Sequence, residues 1–192
     1  MWDYKIIYTK KSYNIYVSSR QIISKNKLVI SVCIVCALLI GVLVFVHFRF
    51  PKRYCDIITM ASETHNIEPS LIYAVILSES GFDRYAVSSA GAMGLMQIMP
   101  STAEYIARER GIEFSEEMLF DPAINIDFGT YYLARMFRRF GNQKEALAAY
   151  NAGEGNVSAW RASDLDRIPF RETRDYVRRV TFARRIYRFL GV

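Results

Sequence analysis

The sequence predicts an all-α protein, one apolar helix followed by a helical domain, and two observations predict it. Residues 28 to 46, LVISVCIVCALLIGVLVFV, contain no charged side chain. A helix of about 20 apolar residues crosses the hydrocarbon core of a bilayer, so this run is long enough to span one. From residue 54 to 192 no stretch alternates polar and apolar residues with period two, while the end of the chain repeats apolar residues every three or four positions. That is the pattern of helices and not of half-buried strands.

Residues 1 to 27 are rich in Tyr, Ile, Ser and Lys without a period and are expected to form a mostly unstructured tail. The apolar run is read as a single transmembrane helix over 28–48, with a short linker over 49–54 and a domain over 55–192. The rival reading is a cleaved signal peptide. A polar segment of 27 residues precedes the run, and the chain continues as His47, Phe48, Arg49, Phe50 and Pro51 with no small-x-small cleavage pattern. Both features favour a retained anchor.

The formal net charge is +6, which would suit a nucleic-acid partner only if it lay on the domain. Residues 1 to 53 carry nine Lys or Arg against Asp3 alone, whereas the rest of the chain carries 16 basic and 18 acidic side chains. The basic excess therefore flanks the apolar run, where it suits anionic lipid heads, and no nucleic acid is expected as a partner. Six of the nine basic residues precede the run and three follow it. The positive-inside rule then places the tail in the cytoplasm and the domain outside the cytoplasmic membrane. Cys33 and Cys36 form a C-x-x-C inside the apolar run, where neither a redox nor a zinc reading has context. Cys55 is a lone thiol, either buried and free or engaged in an intermolecular disulfide.

Within the domain, Pro69 after Glu68 suits the first turn of a helix over about 69 to 80. Ser101 with Glu104 reads as a capping box for a helix that Gly111 ends. Asp121 before Pro122 opens a further helix, closed by Gly141, and Asn142 with KEALAAY opens a short one to about 150. The last helix, over about 171 to 190, aligns Tyr176, Val180, Ala183, Tyr187 and Leu190 on one face, with Arg174, Arg178 and Arg185 off it.

Glu79 follows Ile76, Val75 and Ile72 by three, four and seven positions, so an acid is aimed along an apolar helix face. Burial there disfavours the carboxylate and raises its pKa, which lets a carboxylic acid keep a proton to donate near neutral pH. The bland alternative is a Glu at a helix end that turns to solvent or pairs with an arginine. The segment AVSSAGAMGLMQIMPSTA, residues 86 to 103, carries glycines at 91 and 94, a hydroxyl at Ser88 and an amide at Gln97. Tyr150 and Asn151 end an alanine-rich helix before Gly153, and Tyr176 heads the stripe of the last helix after Glu172. Taken singly, the tyrosines read as core residues, and Glu172 as a first-turn acid favoured by the helix dipole.

In order, ESGF at 79 to 82, SSAGAMGLMQIMPSTA at 88 to 103, AYNAG at 149 to 153 and ETRDYV at 172 to 177 resemble the successive motifs of the soluble lytic transglycosylase family. The resemblance covers about residues 55 to 190; segments 104 to 120 and 154 to 170 match only loosely. It implies a goose-type lysozyme-like fold and an enzyme that cleaves the peptidoglycan glycan strand, with no metal and no cofactor. It implies also that Glu79 is the single catalytic acid and base, that Ser88 and Gln97 line the sugar cleft, and that Tyr150 stands close to the Glu79 carboxyl. Asn151 joins the substrate-binding residues, and Glu172 and Tyr176 help close the site. Asp83, one turn beyond Glu79, falls where the helix should have ended and is not expected to be a second catalytic carboxylate. A lysozyme-type hydrolase on the same fold and a weakly active glycan-binding component of an envelope-spanning machine are the alternatives.

Overall fold

The computed structural model describes residues 27, 29–163 and 168–192, and the tail expected over 1–27 lies outside them save for Lys27. The chain forms two compact units, Met1–Arg49 and Phe50–Val192. In the first, helix α1, Val29–Arg49, has a mean hydropathy of 3.2 and is long and apolar enough to cross a membrane. It ends at Arg49 where the sequence suggested 48.

The regular elements of the second unit are all helices among its described residues: α2 (Cys55–His65), α3 (Pro69–Glu79), α4 (Pro100–Arg110), a 3-10 turn at Glu116–Phe120, α5 (Pro122–Phe140), α6 (Gln143–Ala152), α7 (Glu154–Ala162) and α8 (Arg171–Phe189). α3 is the centre of the core. Leu71, Ile72, Tyr73, Ala74, Val75 and Ile76 are buried in one unbroken run, because neighbours cover the helix all round and not along one stripe. α3 packs chiefly on α8, which presents Tyr176, Val180, Ala183 and Tyr187 as the periodicity requires, while α5 packs on α6 and α2. Leu190, the last member of that stripe, is half-buried.

Side chains cap the starts of two helices, α5 and α6. Asp121 Oδ1 accepts from the amides of Ala123 (2.8 Å) and Ile124 (3.2 Å), and Asn142 Oδ1 accepts from Glu145 N–H (2.9 Å), as side-chain caps do. The other helices of this unit start without one, and so does α4, where the sequence suggested a cap. It begins at Pro100, its N-cap is Met99 and no side chain caps it. The Ser101 and Glu104 capping box is therefore not formed: proline sits at the first position and carries Ser101 inside the helix. α4 stops at Gly111, in the left-handed region at φ 65°. Two helices, α2 and α7, had no separate sequence signal.

Residues 50 to 52 are fastened to the end of α8. Phe50 is buried edge-on against Tyr187 with ring centroids 5.7 Å apart, Tyr187 Oη donates to the Pro51 carbonyl (3.0 Å), and Lys52 Nζ donates to the Leu190 carbonyl (2.6 Å). The stretch read as linker thus belongs in part to the domain. Cys55 is an exposed free thiol, not a buried one, because it opens α2 at the surface.

Candidate active site

Glu79 closes α3, with Ile72, Val75 and Ile76 fully buried on its side of the helix. The residue itself is half-buried. Loss of solvent pushes its carboxyl from 4.5 to about 7, against the opposing pull of the Tyr176 hydroxyl and the Arg179 guanidinium. Ser80 fixes where α3 stops. Its hydroxyl donates to the Leu95 carbonyl (2.8 Å) and accepts from Phe82 N–H (3.2 Å), so the residue after Glu79 ties the helix to the following loop. Phe82, at φ 70°, buries its ring beside Tyr73, 6.1 Å between centroids. Asp83 is exposed and accepts from Tyr85 N–H (2.9 Å), which spends it on a turn.

The loop over 86 to 99 is a small folded object. Met93 and Ile98 exchange both backbone hydrogen bonds at 3.0 Å, and Gly94 N–H donates to the Ala86 carbonyl at 2.9 Å. Ser88 brackets one turn, its hydroxyl accepting from Ala92 N–H (3.0 Å). Gln97, at φ 49°, gives its amide nitrogen to the carbonyls of Ala86 and Gly94, both at 3.0 Å. Buried Asn125 of α5 pins the whole loop: it accepts from Met96 N–H (2.7 Å) and donates to the carbonyls of Met93 (3.0 Å) and Leu119 (2.9 Å). Gly94 sits so close that an added Cβ would lie 2.2 Å from the Leu119 carbonyl oxygen and 2.3 Å from Asn125 Nδ2. Only glycine fits there, at φ 77°.

Two tyrosines face Glu79 from opposite helices. Tyr150 of α6 donates from its buried hydroxyl to the Met96 carbonyl (2.8 Å), and its phenol pKa is raised well above the usual value by burial and then by the Glu79 charge. Tyr176 of α8 is raised in the same way, by burial first and Glu79 second. Among the described residues its buried hydroxyl has no partner in hydrogen-bonding geometry, although Glu79 is near enough to interact with it. Arg179, exposed on the next turn of α8, lies over the Tyr176 ring at 6.0 Å and adds positive potential at the carboxylate.

The remaining predicted residues divide between two hollows. Gln97, Tyr150 and Asn151 line one of about 270 Å³ together with Thr102 and Tyr132. Asn151 and Glu172 line a second of about 370 Å³ with Asn156, Phe170, Arg171 and Thr173. The two meet at Asn151 and Ala152. Glu172 is exposed, Ser88 lines neither hollow, and Glu79 adjoins the first through Tyr150. No three His, Cys, Asp or Glu residues among those described are grouped to hold a metal ion.

Sequence reasoning missed Arg179, Tyr132 and Asn125. Arg179 was findable, because it stands three positions after Tyr176 and so on the same side of α8. Tyr132, whose ring lies 5.5 Å from that of Tyr150, and Asn125 had no local signal, since only the tertiary fold brings them to the site.

The family profile described as Transglycosylase SLT domain matches residues 56–169. The soluble lytic murein transglycosylase of Salmonella typhimurium is 38% identical over 156 residues, covering 74% of this chain and 24% of that protein. The membrane-bound lytic murein transglycosylase C of Edwardsiella ictaluri is 37% identical over 123 residues, covering 58% of this chain and 34% of that protein. The crystal structure of the 70 kDa soluble lytic transglycosylase from Escherichia coli superposes with a TM-score of 0.69 at 36% identity, over 74% of this chain and 25% of that one. The chain thus spans about a quarter to a third of the length of these relatives.

Proposed function

We propose, since the chain belongs to the transglycosylase SLT domain family with its lysozyme-like fold, that it is a membrane-anchored lytic transglycosylase acting on the β-1,4 bond between MurNAc and GlcNAc in peptidoglycan. The observation that carries this reading is the half-buried Glu79 carboxyl, lifted to about 7 by loss of solvent. Hydrolysing glycosidases generally use two carboxylates, and Asp83, the nearest acid in sequence, is occupied in a turn. On this reading a single carboxyl acts twice. Protonated Glu79 gives its proton to the oxygen leaving MurNAc C1 as that bond breaks, and the substrate's own N-acetyl group stabilises the cationic carbon. The ionised carboxylate next takes the proton of the C6 hydroxyl as that oxygen bonds to C1, which closes a 1,6-anhydro ring and restores the acid.

The neighbours suit both halves of this cycle. Arg179 and the Tyr176 hydroxyl stabilise the carboxylate once it forms, and Tyr150 holds the Met96 backbone beside it. Gln97, Asn151 and Glu172 border the hollows in which sugar rings would lie, while Ser88 shapes the loop above them. Helix α1 anchors the enzyme in the cytoplasmic membrane with the domain outside, where cell-wall remodelling or degradation takes place.

Mass spectrometry of muropeptides released from purified peptidoglycan tests the reaction. Ring closure by the C6 hydroxyl gives products lighter by one water than lysozyme products. Products of hydrolytic mass would transfer the assignment to a hydrolase on the same fold.

A further inference from the structure

The solvent side of α8 carries a second pattern that the cleft does not use. Arg178, Phe182, Arg185 and Phe189 follow one another at spacings of four, three and four, and all are exposed. Those spacings set them in one stripe, opposite the face that packs on α3. Phe182 is 59% and Phe189 89% exposed, and neither ring meets another aromatic ring among the described residues. Exposing two large aromatics along one surface line costs solubility and marks an interaction surface. Arg178 is paired with Asp175 at 3.4 Å, but Arg185 makes no ion pair among the described residues.

What covers this stripe is indicated by where the end of α8 is fastened. Residues 50 to 52 are bound to Tyr187 and Leu190, and Phe50 is joined by a peptide bond to Arg49, the last residue of α1. If α1 spans a bilayer, the C-terminal end of α8 is held within a few residues of its surface. Exposed Lys52 and Arg53 add positive charge at the same end. Interleaved phenylalanine and arginine suit a headgroup layer, where rings enter the acyl boundary and guanidinium groups meet phosphate.

We infer that the Arg178–Phe182–Arg185–Phe189 stripe is a membrane-docking face that lays the domain on the anionic bilayer in which the same chain is anchored. The inference rests on the reading of α1 as a span. α8 then offers lipid one face and Glu79 the other, by way of Tyr176.

The test uses the full chain reconstituted in phosphatidylglycerol vesicles, with Phe189, Phe182 or, as control, Ile112 replaced in turn by photoreactive p-benzoylphenylalanine. Ile112 follows α4, which packs on α5, and it is also exposed. After irradiation, positions 189 and 182 should gain the mass of one phospholipid and position 112 should not. Vesicles of phosphatidylcholine should lower that yield several-fold. Lipid capture equal at all three positions, capture of a second protein copy in place of lipid, or no capture at 182 and 189 would each overturn the docking face. Retention of the chain in vesicles washed with alkaline carbonate reports separately on the span, so failure of the anchor is told apart from failure of the stripe.

Discussion

Ionising Glu79 opposes folding, and this gives its burial a measurable sign. The carboxyl moves from 4.5 unfolded to about 7 folded, so between those values the folded state holds a proton that the unfolded state has released. Its contribution to stability is fully present below pH 4.5, declines as pH rises through the window and is gone above about 7. Glu79→Gln has no charge to bury. Relative to wild type, the variant should gain stability from pH 4 to pH 8, on the order of 1–3 kcal/mol by the roughly 1.4 kcal/mol that accompanies each pKa unit. Urea unfolding at both pH values reads it, and a gap that stays constant would remove the buried carboxyl from the account. The same variant should lose at least about 10²- to 10⁴-fold in turnover while remaining folded, because it can neither give nor retake a proton. Turnover of the wild type should fall above about pH 7, where the acid is already ionised.

The two tyrosines beside Glu79 should respond differently to the same deletion. Tyr176→Phe removes a hydroxyl that has no aligned partner, so stability should change by less than about 1 kcal/mol. It also removes an influence that lowers the Glu79 pKa, so the alkaline limb of the pH–rate profile should move up. Tyr150→Phe instead strands the Met96 carbonyl and should cost about 1–3 kcal/mol in an unfolding titration. If the two variants had equal stability and unshifted profiles, the roles given to these hydroxyls would be wrong.

At the scale of elements, the loop over 86 to 99 depends on α5 more than on its own sequence. Asn125 satisfies three backbone groups, at Met93, Met96 and Leu119, and Tyr150 satisfies a fourth at Met96. Asn125→Leu should therefore destabilise by at least about 2 kcal/mol and slow turnover, although Asn125 is no part of the proposed proton path. Amide hydrogen exchange at Met96 should quicken markedly; unchanged exchange would show that the loop holds its shape unaided. This dependence explains what the sequence made legible. The helix from Pro69, the caps at Asp121 and Asn142 and the stripe of α8 are written in local spacing, and all four appear in the fold. The apolar face under Glu79 was legible for the same reason. Asn125 and Tyr132 were not, because a polar or aromatic residue inside an amphipathic helix looks the same whether it meets solvent, core or loop. The false capping box at Ser101 has a related cause: the two residues have the right spacing, but Pro100 had already opened the helix.

At the scale of the whole molecule, the border between α1 and the second unit decides where the chain can be cut. Phe50 is buried on Tyr187, Pro51 accepts from the same tyrosine and Lys52 reaches the Leu190 carbonyl. A fragment of residues 50 to 192 should fold as a soluble helical monomer. One of residues 54 to 192 should be less stable by roughly 2–4 kcal/mol, from one lost aromatic burial and two lost hydrogen bonds. Equal melting midpoints for the two fragments would show that residues 50 to 52 merely pass by. Six basic residues precede the apolar run and three follow it, and on the proposed reading of α1 as a span this bias keeps the N-terminal side in the cytoplasm. Alkaline phosphatase, which is active only outside the cytoplasm, should therefore be active when fused after Val192 and silent when fused before residue 28. The reverse pattern would put the domain in the cytoplasm, away from any peptidoglycan, and the proposed activity would have no substrate to meet.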